Sequence, residues 1–157
     1  MKIYLKNKTS NKISTQEANS FFSLSKNIRD SNDEATQQEA DSFILQEAKD
    51  SKIAEIKANC KEFIYLPITY NGASFINTQT SGANLSIADE YIDEPIEWID
   101  ADNNSIVLTK LQVRELVALM ITHRSTGYFK EAALIKLIED ASCDTVIKVN
   151  NINIDFS

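Results

Sequence analysis

With 157 residues, 43% of them hydrophobic, and a net charge of −7, the chain is long enough for one compact core. It has no apolar run near the ~20 residues that a membrane-spanning helix needs. The polar, lysine-rich N-terminus has no apolar signal segment behind it, which predicts a protein made in the cytoplasm and not placed in a membrane. The charge is unevenly spread. Between Lys61 and Lys110 there is no Lys or Arg, while Glu62, Asp89, Glu90, Asp93, Glu94, Glu97, Asp100 and Asp102 are acidic. The first part of the chain carries Lys2, Lys6, Lys8, Lys12, Lys26 and Arg29 against Glu17 alone. Such a field opposes phosphate backbones and favours basic protein surfaces, or the basic N-terminus of a neighbouring copy, as partners. The bland alternative is a solvated acidic face that keeps the protein soluble.

In chain order, Lys2 to Leu5 alternates polar and apolar residues and predicts a short strand. Ser14-Thr15-Gln16-Glu17 fits a capping box, so a short helix from Thr15 to about Leu24 is expected, followed by a linker from Ser25 to Ala35. Residues 1–35 are thus read as an N-terminal arm and 36–157 as a domain. Thr36-Gln37-Gln38-Glu39 is a second capping box, and no Gly or Pro follows until Pro67. A long helix from Gln37 to about Glu62 results, with Leu45, Ala48, Ile53, Ile56, Cys60 and Phe63 as one narrow apolar stripe. That stripe suits packing within the chain, with pairing to another subunit as the alternative.

Asn71-Gly72, between the apolar runs Ile64–Tyr70 and Ala73–Ile76, predicts a hairpin with a type I′ turn, and Pro67 confines the first strand to an edge or to residues after it. A helix is expected from about Ser81 to Tyr91. A second hairpin pairs Ile96–Ile99 with Ser105–Leu108 across Asp100–Asn104. Thr109-Lys110-Leu111-Gln112 caps a further helix. The Ser125-Thr126-Gly127 break should end it, and Tyr128–Ala141 should form a second helix antiparallel to the first. Val146–Val149 returns to β-like sequence, with Ile152, Ile154 and Phe156 on one face. The fold class is therefore α+β: two short antiparallel hairpins packed on a long helix and a C-terminal helical hairpin.

Taken in order, Ile56-Lys57-Ala58-Asn59-Cys60, Tyr70-Asn71-Gly72-Ala73-Ser74-Phe75, Ser81 with Asn84 and Ile87, Trp98-Ile99-Asp100-Ala101-Asp102-Asn103, Val107-Leu108-Thr109 and Ile138-Glu139-Asp140-Ala141 form a set of landmarks. Over Ile53 to Ala141 this set resembles a domain of unknown function in small tailed-bacteriophage tail proteins, encoded near tail-fibre and baseplate genes. The family often has a charged residue where this chain has Gly82. The resemblance implies a phage or prophage tail setting and no particular chemistry.

No catalytic, cofactor or metal motif is read from the residues. Asp100-x-Asp102-x-Asn104 copies half of a calcium loop, but Ser105 stands where Gly is needed and Leu111 where a bidentate Glu is needed, so a hairpin turn is the better reading. His123, placed near a helix C-terminus, is read as structural. The pairs Asp89-Glu90 and Asp93-Glu94 are read as a solvated loop rather than a glycosidase pair. Cys60 and Cys143 are read as buried thiols, with a disulfide as the alternative.

The candidate partner-binding residues are Tyr4, Phe21 and Phe22 in the basic arm, Leu45, Ile53 and Ile56 on the long helix, Trp98, and the acids Asp89, Glu90, Asp93 and Glu94. For Trp98, core packing is the favoured role. The expectation is a non-enzymatic tail component that docks onto fibre, baseplate or like subunits, with a fibre-assembly chaperone absent from the virion as the alternative and a cell-wall or glycan hydrolase as the remote one. Nucleic acid is not an expected partner. The expected location is the host cytoplasm during synthesis, and the virion tail if the role is structural.

Overall fold

The computed structural model describes residues 2–17, 24, 26, 28, 32–140 and 142–156. Its described elements run β1 (Lys2–Asn7), β2 (Ile13–Glu17), β3 (Asn32–Ala35), α1 (Gln37–Ile64), β4 (Ile68–Tyr70), β5 (Ala73–Phe75), α2 (Gln79–Tyr91), β6 (Ile96–Ile99), β7 (Ser105–Leu108), α3 (Lys110–Glu139) and α4 (Val146–Asn150). The fold is α+β. The chain forms two compact units, one of Met1–Lys52 with Ile138–Ile152 and the other of Ile53–Leu137 with Asn153–Ser157. The sequence suggested an arm of 1–35 ahead of a domain of 36–157.

In the first unit a three-stranded antiparallel sheet has the order β2-β1-β3. Alternation along β1 turns Ile3 and Leu5 inward, where they pack with Leu24 and Ile28. Asn7 Oδ1 accepts hydrogen bonds from the backbone N–H groups of Thr9 at 3.0 Å and Ser10 at 2.8 Å, and Asn11 takes a positive φ of 57°, which turns the chain from β1 into β2. The helix expected from Thr15 is corrected at its start: Ile13–Glu17 is a strand, paired from Lys2↔Glu17 to Lys6↔Ile13. Residues 18–23 of that expected helix lie outside the described residues. The linker expected over Ser25–Ala35 is corrected at its end, because Asn32–Ala35 pairs with β1.

Thr36 and Glu39 form the expected capping box at the start of α1: Glu39 N–H donates to Thr36 Oγ1 at 3.1 Å and Thr36 N–H donates to Glu39 Oε2 at 2.8 Å. These bonds hold the Glu39 carboxyl below the ordinary carboxylate range. α4 corrects the expected strand at Val146–Val149. Thr145 caps it by accepting from Lys148 N–H, Lys148 Nζ pairs with Asp144 at 2.7 Å, and a single turn buries Val149 completely.

In the second unit both hairpins form as expected. Asn71 and Gly72 have φ of 50° and 81°, the left-handed values a type I′ turn requires, and β4 begins just after Pro67. The β6–β7 turn is closed by Asp100, whose Oδ1 accepts from Asp102 N–H at 2.9 Å and Asn104 N–H at 2.7 Å. Ala101 N–H then donates to Ser74 O at 2.7 Å, joining the two hairpins. Phe75, Leu85, Leu108, Val113, Leu116 and Met120 form the buried core, with Ile68, Tyr70, Ile96, Trp98 and Ile106 packed around it.

The expected helical hairpin is corrected to one continuous helix. α3 passes through Ser125-Thr126-Gly127 without a break, and the Thr126 side chain donates from Oγ1 to Thr122 O, one turn back, at 2.9 Å. Gly127 stands there for close approach: a Cβ would lie 2.5 Å from Ile64 Cγ2 and 3.0 Å from Phe63 Cδ1.

Candidate protein-docking site

α2 and β6 together shape an apolar surface on the second unit. Thr78 caps α2, its Oγ1 accepting from Ser81 N–H at 3.1 Å. Leu85 and Ala88 face the core, which turns Asn84 and Ile87 along the helix flank toward β6. Pro95 ends the connection, and β6 presents Ile96 and Trp98 to the same side. The result is a shallow trough of about 340 Å³, lined by Asn84, Ile87, Ala88, Ile92, Ile96, Glu97 and Trp98. Ile87 is 56% exposed and Ile92 41%, so the trough floor and wall are apolar and reachable.

The acids around it divide into two groups. Asp89 Oδ1 accepts from Arg114 Nε at 2.7 Å, and Asp93 Oδ1 from Lys110 Nζ at 2.6 Å, so α3 neutralises both from within the unit. The Lys110 ammonium holds the Asp93 carboxyl below the ordinary range, by its hydrogen bond first and its charge second. Glu90 and Glu94 are exposed, and among the described residues neither has an ion-pair partner. Glu97, on β6, accepts the Ser105 hydroxyl across the hairpin. Among the described residues, the negative charge without an ion pair here sits on Glu97, which lines the trough, and on Glu90 and Glu94, two residues either side of Ile92 in the chain.

Of the sequence candidates, Trp98 lines the trough, Glu90 and Glu94 flank its residue Ile92 in the chain, and Asp89 and Asp93 form ion pairs with α3. Ile56 is corrected: it is fully buried and cannot contact a partner. Leu45 and Ile53 are half-buried on α1, and Tyr4 is half-buried in β1 between Thr15 and Ala35. Phe21 and Phe22 lie outside the described residues. Sequence reasoning did not select Ile87, Ile92 and Ile96. The five-residue step from Ile87 to Ile92 matches no single helical face, because the trough is made where a helix leaves off and a strand begins.

His123 is corrected in place though not in kind. It sits within α3 rather than near that helix's end, stacks on Phe63 with ring centroids 4.2 Å apart, and its Nε2 lies 2.8 Å from Phe63 O. The proton is on Nε2, since the partner is a carbonyl. The carbonyl is at the C-terminus of α1, so His123 caps another helix, not its own. Asn77, fully buried, donates Nδ2–H to Ile64 O at 2.8 Å, and Arg124 Nε donates to Asn77 Oδ1 at 3.1 Å.

Asp100, whose pattern resembled a calcium loop, directs its oxygens into its own turn: Asn104 Nδ2 also donates to Oδ2 at 3.1 Å. These bonds, led by the one from Asn104 N–H, hold its carboxyl below the ordinary value. Both cysteines are buried and free. Burial first, then the Glu131 carboxylate, pushes the Cys60 thiol up to about 12. Among the described residues no helix is long and apolar enough to cross a membrane.

A family model described as a domain of unknown function (DUF4376) matches residues 47–156. The chain belongs to this family. No curated protein and no solved structure matches it. The DUF4376 match takes in the whole trough, the paired acids and the α1 cap formed by His123 and Asn77. It leaves β1–β3 and α1 up to Gln46 outside.

Proposed function

We propose that this DUF4376 chain is a non-enzymatic docking subunit of a bacteriophage tail, engaging fibre, baseplate or like subunits through the α2–β6 trough. The observation that carries the reading is an apolar trough, with Ile87 and Ile92 exposed and Trp98 half-buried, which Glu97 lines and whose residue Ile92 is flanked in the chain by the exposed Glu90 and Glu94. Apolar contact supplies affinity and the rim acids select a basic, amphipathic segment. The internal neutralisation of Asp89 and Asp93 supports it as well, because it leaves a localised negative rim rather than a diffuse acidic field. The tail setting rests on the order of sequence landmarks from Ile56 to Ala141.

Co-expression with the products of neighbouring fibre and baseplate genes tests the docking role. One of them co-purifies, and Ile87→Glu abolishes the complex. If none binds, or the complex survives Ile87→Glu, the reading fails. A mass-spectrometric inventory of purified particles then separates a resident tail component, whose peptides are present, from an assembly chaperone, which forms the complex but is absent from the virion.

A further inference from the structure

We propose that the outward face of α3 pairs antiparallel with the same face of a second copy of this chain. The inward face of α3 is filled by Val113, Leu116, Met120 and Gly127. A helix with one buried face ordinarily carries charge on the other. Between Leu116 and Phe129 the only His, Lys, Arg, Asp or Glu side chains are His123 and Arg124, and both turn to groups inside the unit, Phe63 O and Asn77 Oδ1. Along these turns the outward face has no charge at all, and it ends on Phe129, which is 77% exposed.

The positions of that face are arranged symmetrically along the helix. Glu115, Ala118, Thr122, the Ser125-Thr126 step, Phe129, Ala133 and Lys136 recur at intervals of three and four, symmetric about the midpoint between Ser125 and Thr126. Reversing one copy against another sets Ala118 opposite Ala133 and Thr122 opposite Phe129. Small residues thereby face small ones at two levels, and each large ring faces a short side chain, which permits close approach of the two helices.

Charge decides the orientation. The antiparallel arrangement places Glu115 of each copy against Lys136 of the other, about 32 Å apart along the helix at 1.5 Å per residue, giving two ion pairs by symmetry. A parallel arrangement places Glu115 on Glu115 and Lys136 on Lys136. Tyr70 donates its hydroxyl to Glu115 Oε2, which fixes the direction of that carboxylate and leaves its other oxygen for the lysine. The uncharged centre and oppositely charged ends are complementary to themselves, and this identifies a second copy as the occupant. The seam is distinct from the α2–β6 trough.

Light scattering of the full chain across a concentration series tests this. The wild type is a dimer, and Phe129→Glu, at a position exposed enough not to disturb folding, weakens self-association by roughly 30-fold or more. Glu115→Lys also weakens it, and Glu115→Lys combined with Lys136→Glu restores it. Mixed Ala118→Cys and Ala133→Cys proteins cross-link to each other under mild oxidation more readily than either does to itself. A wild type that stays monomeric, a dimer indifferent to Phe129→Glu, or a double swap no better than the single one overturns the proposal. So does a different protein seated on this face of an otherwise monomeric chain.

Discussion

Asn77 donates its side-chain amide to the carbonyl of Ile64, the last residue of α1, across 2.8 Å. The last carbonyls of a helix have no partner within it, and a buried one left unpaired costs free energy. Here two side chains from elsewhere in the unit meet that need, Asn77 at Ile64 and His123 at Phe63. Asn77→Ala removes the donor to Ile64 and the acceptor for Arg124 together. We expect a loss of about 2–3 kcal/mol, read by denaturant unfolding with Trp98 fluorescence as the probe. A loss below half a kcal/mol, roughly the background for surface changes, contradicts this account of the cap.

Gly127→Ala sets helix propensity against packing. Replacing a mid-helix glycine ordinarily gains about 1 kcal/mol. At this site the new methyl lies 2.5 Å from Ile64 Cγ2, and overpacking of that kind costs about 1–3 kcal/mol. Net destabilisation is expected, relieved in the Ile64→Ala background, as a double-mutant cycle will show. Gly82→Ala is the contrast. Its Cβ meets the Arg124 guanidinium at 3.3 Å, a group held by Asn77 Oδ1 and Thr78 O, so a smaller loss than at Gly127 is expected, with strain on those bonds offsetting part of the propensity gain.

How much of this was legible in the sequence follows from how local each signal is. Thr36 with Glu39, Thr109 with Gln112, and Asn71-Gly72 close their own hydrogen bonds within four residues, and each is found as read. Ser14 to Glu17 carries the same capping pattern yet forms β2, because pairing with β1 satisfies the same backbone groups over five residues. Ser125-Thr126-Gly127 looks like a break only until Ile64 and Phe63 are known to press on that glycine. The trough was visible in one residue only: Trp98 was selected, whereas Ile87, Ile92 and Ile96 were not. Which acids remain free of ion pairs depends on Lys110 and Arg114, whose reach to Asp93 and Asp89 no sequence spacing reveals.

Asp100 makes stability depend on acid pH in a definite direction. Its carboxyl is held below the ordinary 3.8 by hydrogen bonds from Asn104 and Asp102, so the folded state favours the ionised form. That contribution is complete above the unfolded value and is lost as pH falls through the lowered folded value. Asp100→Asn should therefore be less stable than wild type at neutral pH, with the deficit shrinking as pH drops below 3.8. A deficit that stays constant through that range in thermal melts contradicts the assignment.

Cys60 should be inert in the folded protein. Its thiol is pushed up to about 12 and its side chain is 1% exposed, so almost no thiolate forms or meets reagent at neutral pH. Alkylation followed by mass spectrometry should label Cys60 only after denaturant is added. Rapid labelling under native conditions would show that the α1–α3 packing is open.

The trough carries its own reporter, because Trp98 is the only tryptophan in the chain. Titrating a lysine-rich amphipathic peptide against wild type and Ile87→Glu, at low and high salt, therefore reads the site directly. A saturable change in Trp98 emission, weakened by salt and abolished by Ile87→Glu, is expected if this surface docks the partner. A complex that forms with no change at Trp98, or that is indifferent to both salt and Ile87→Glu, contradicts it.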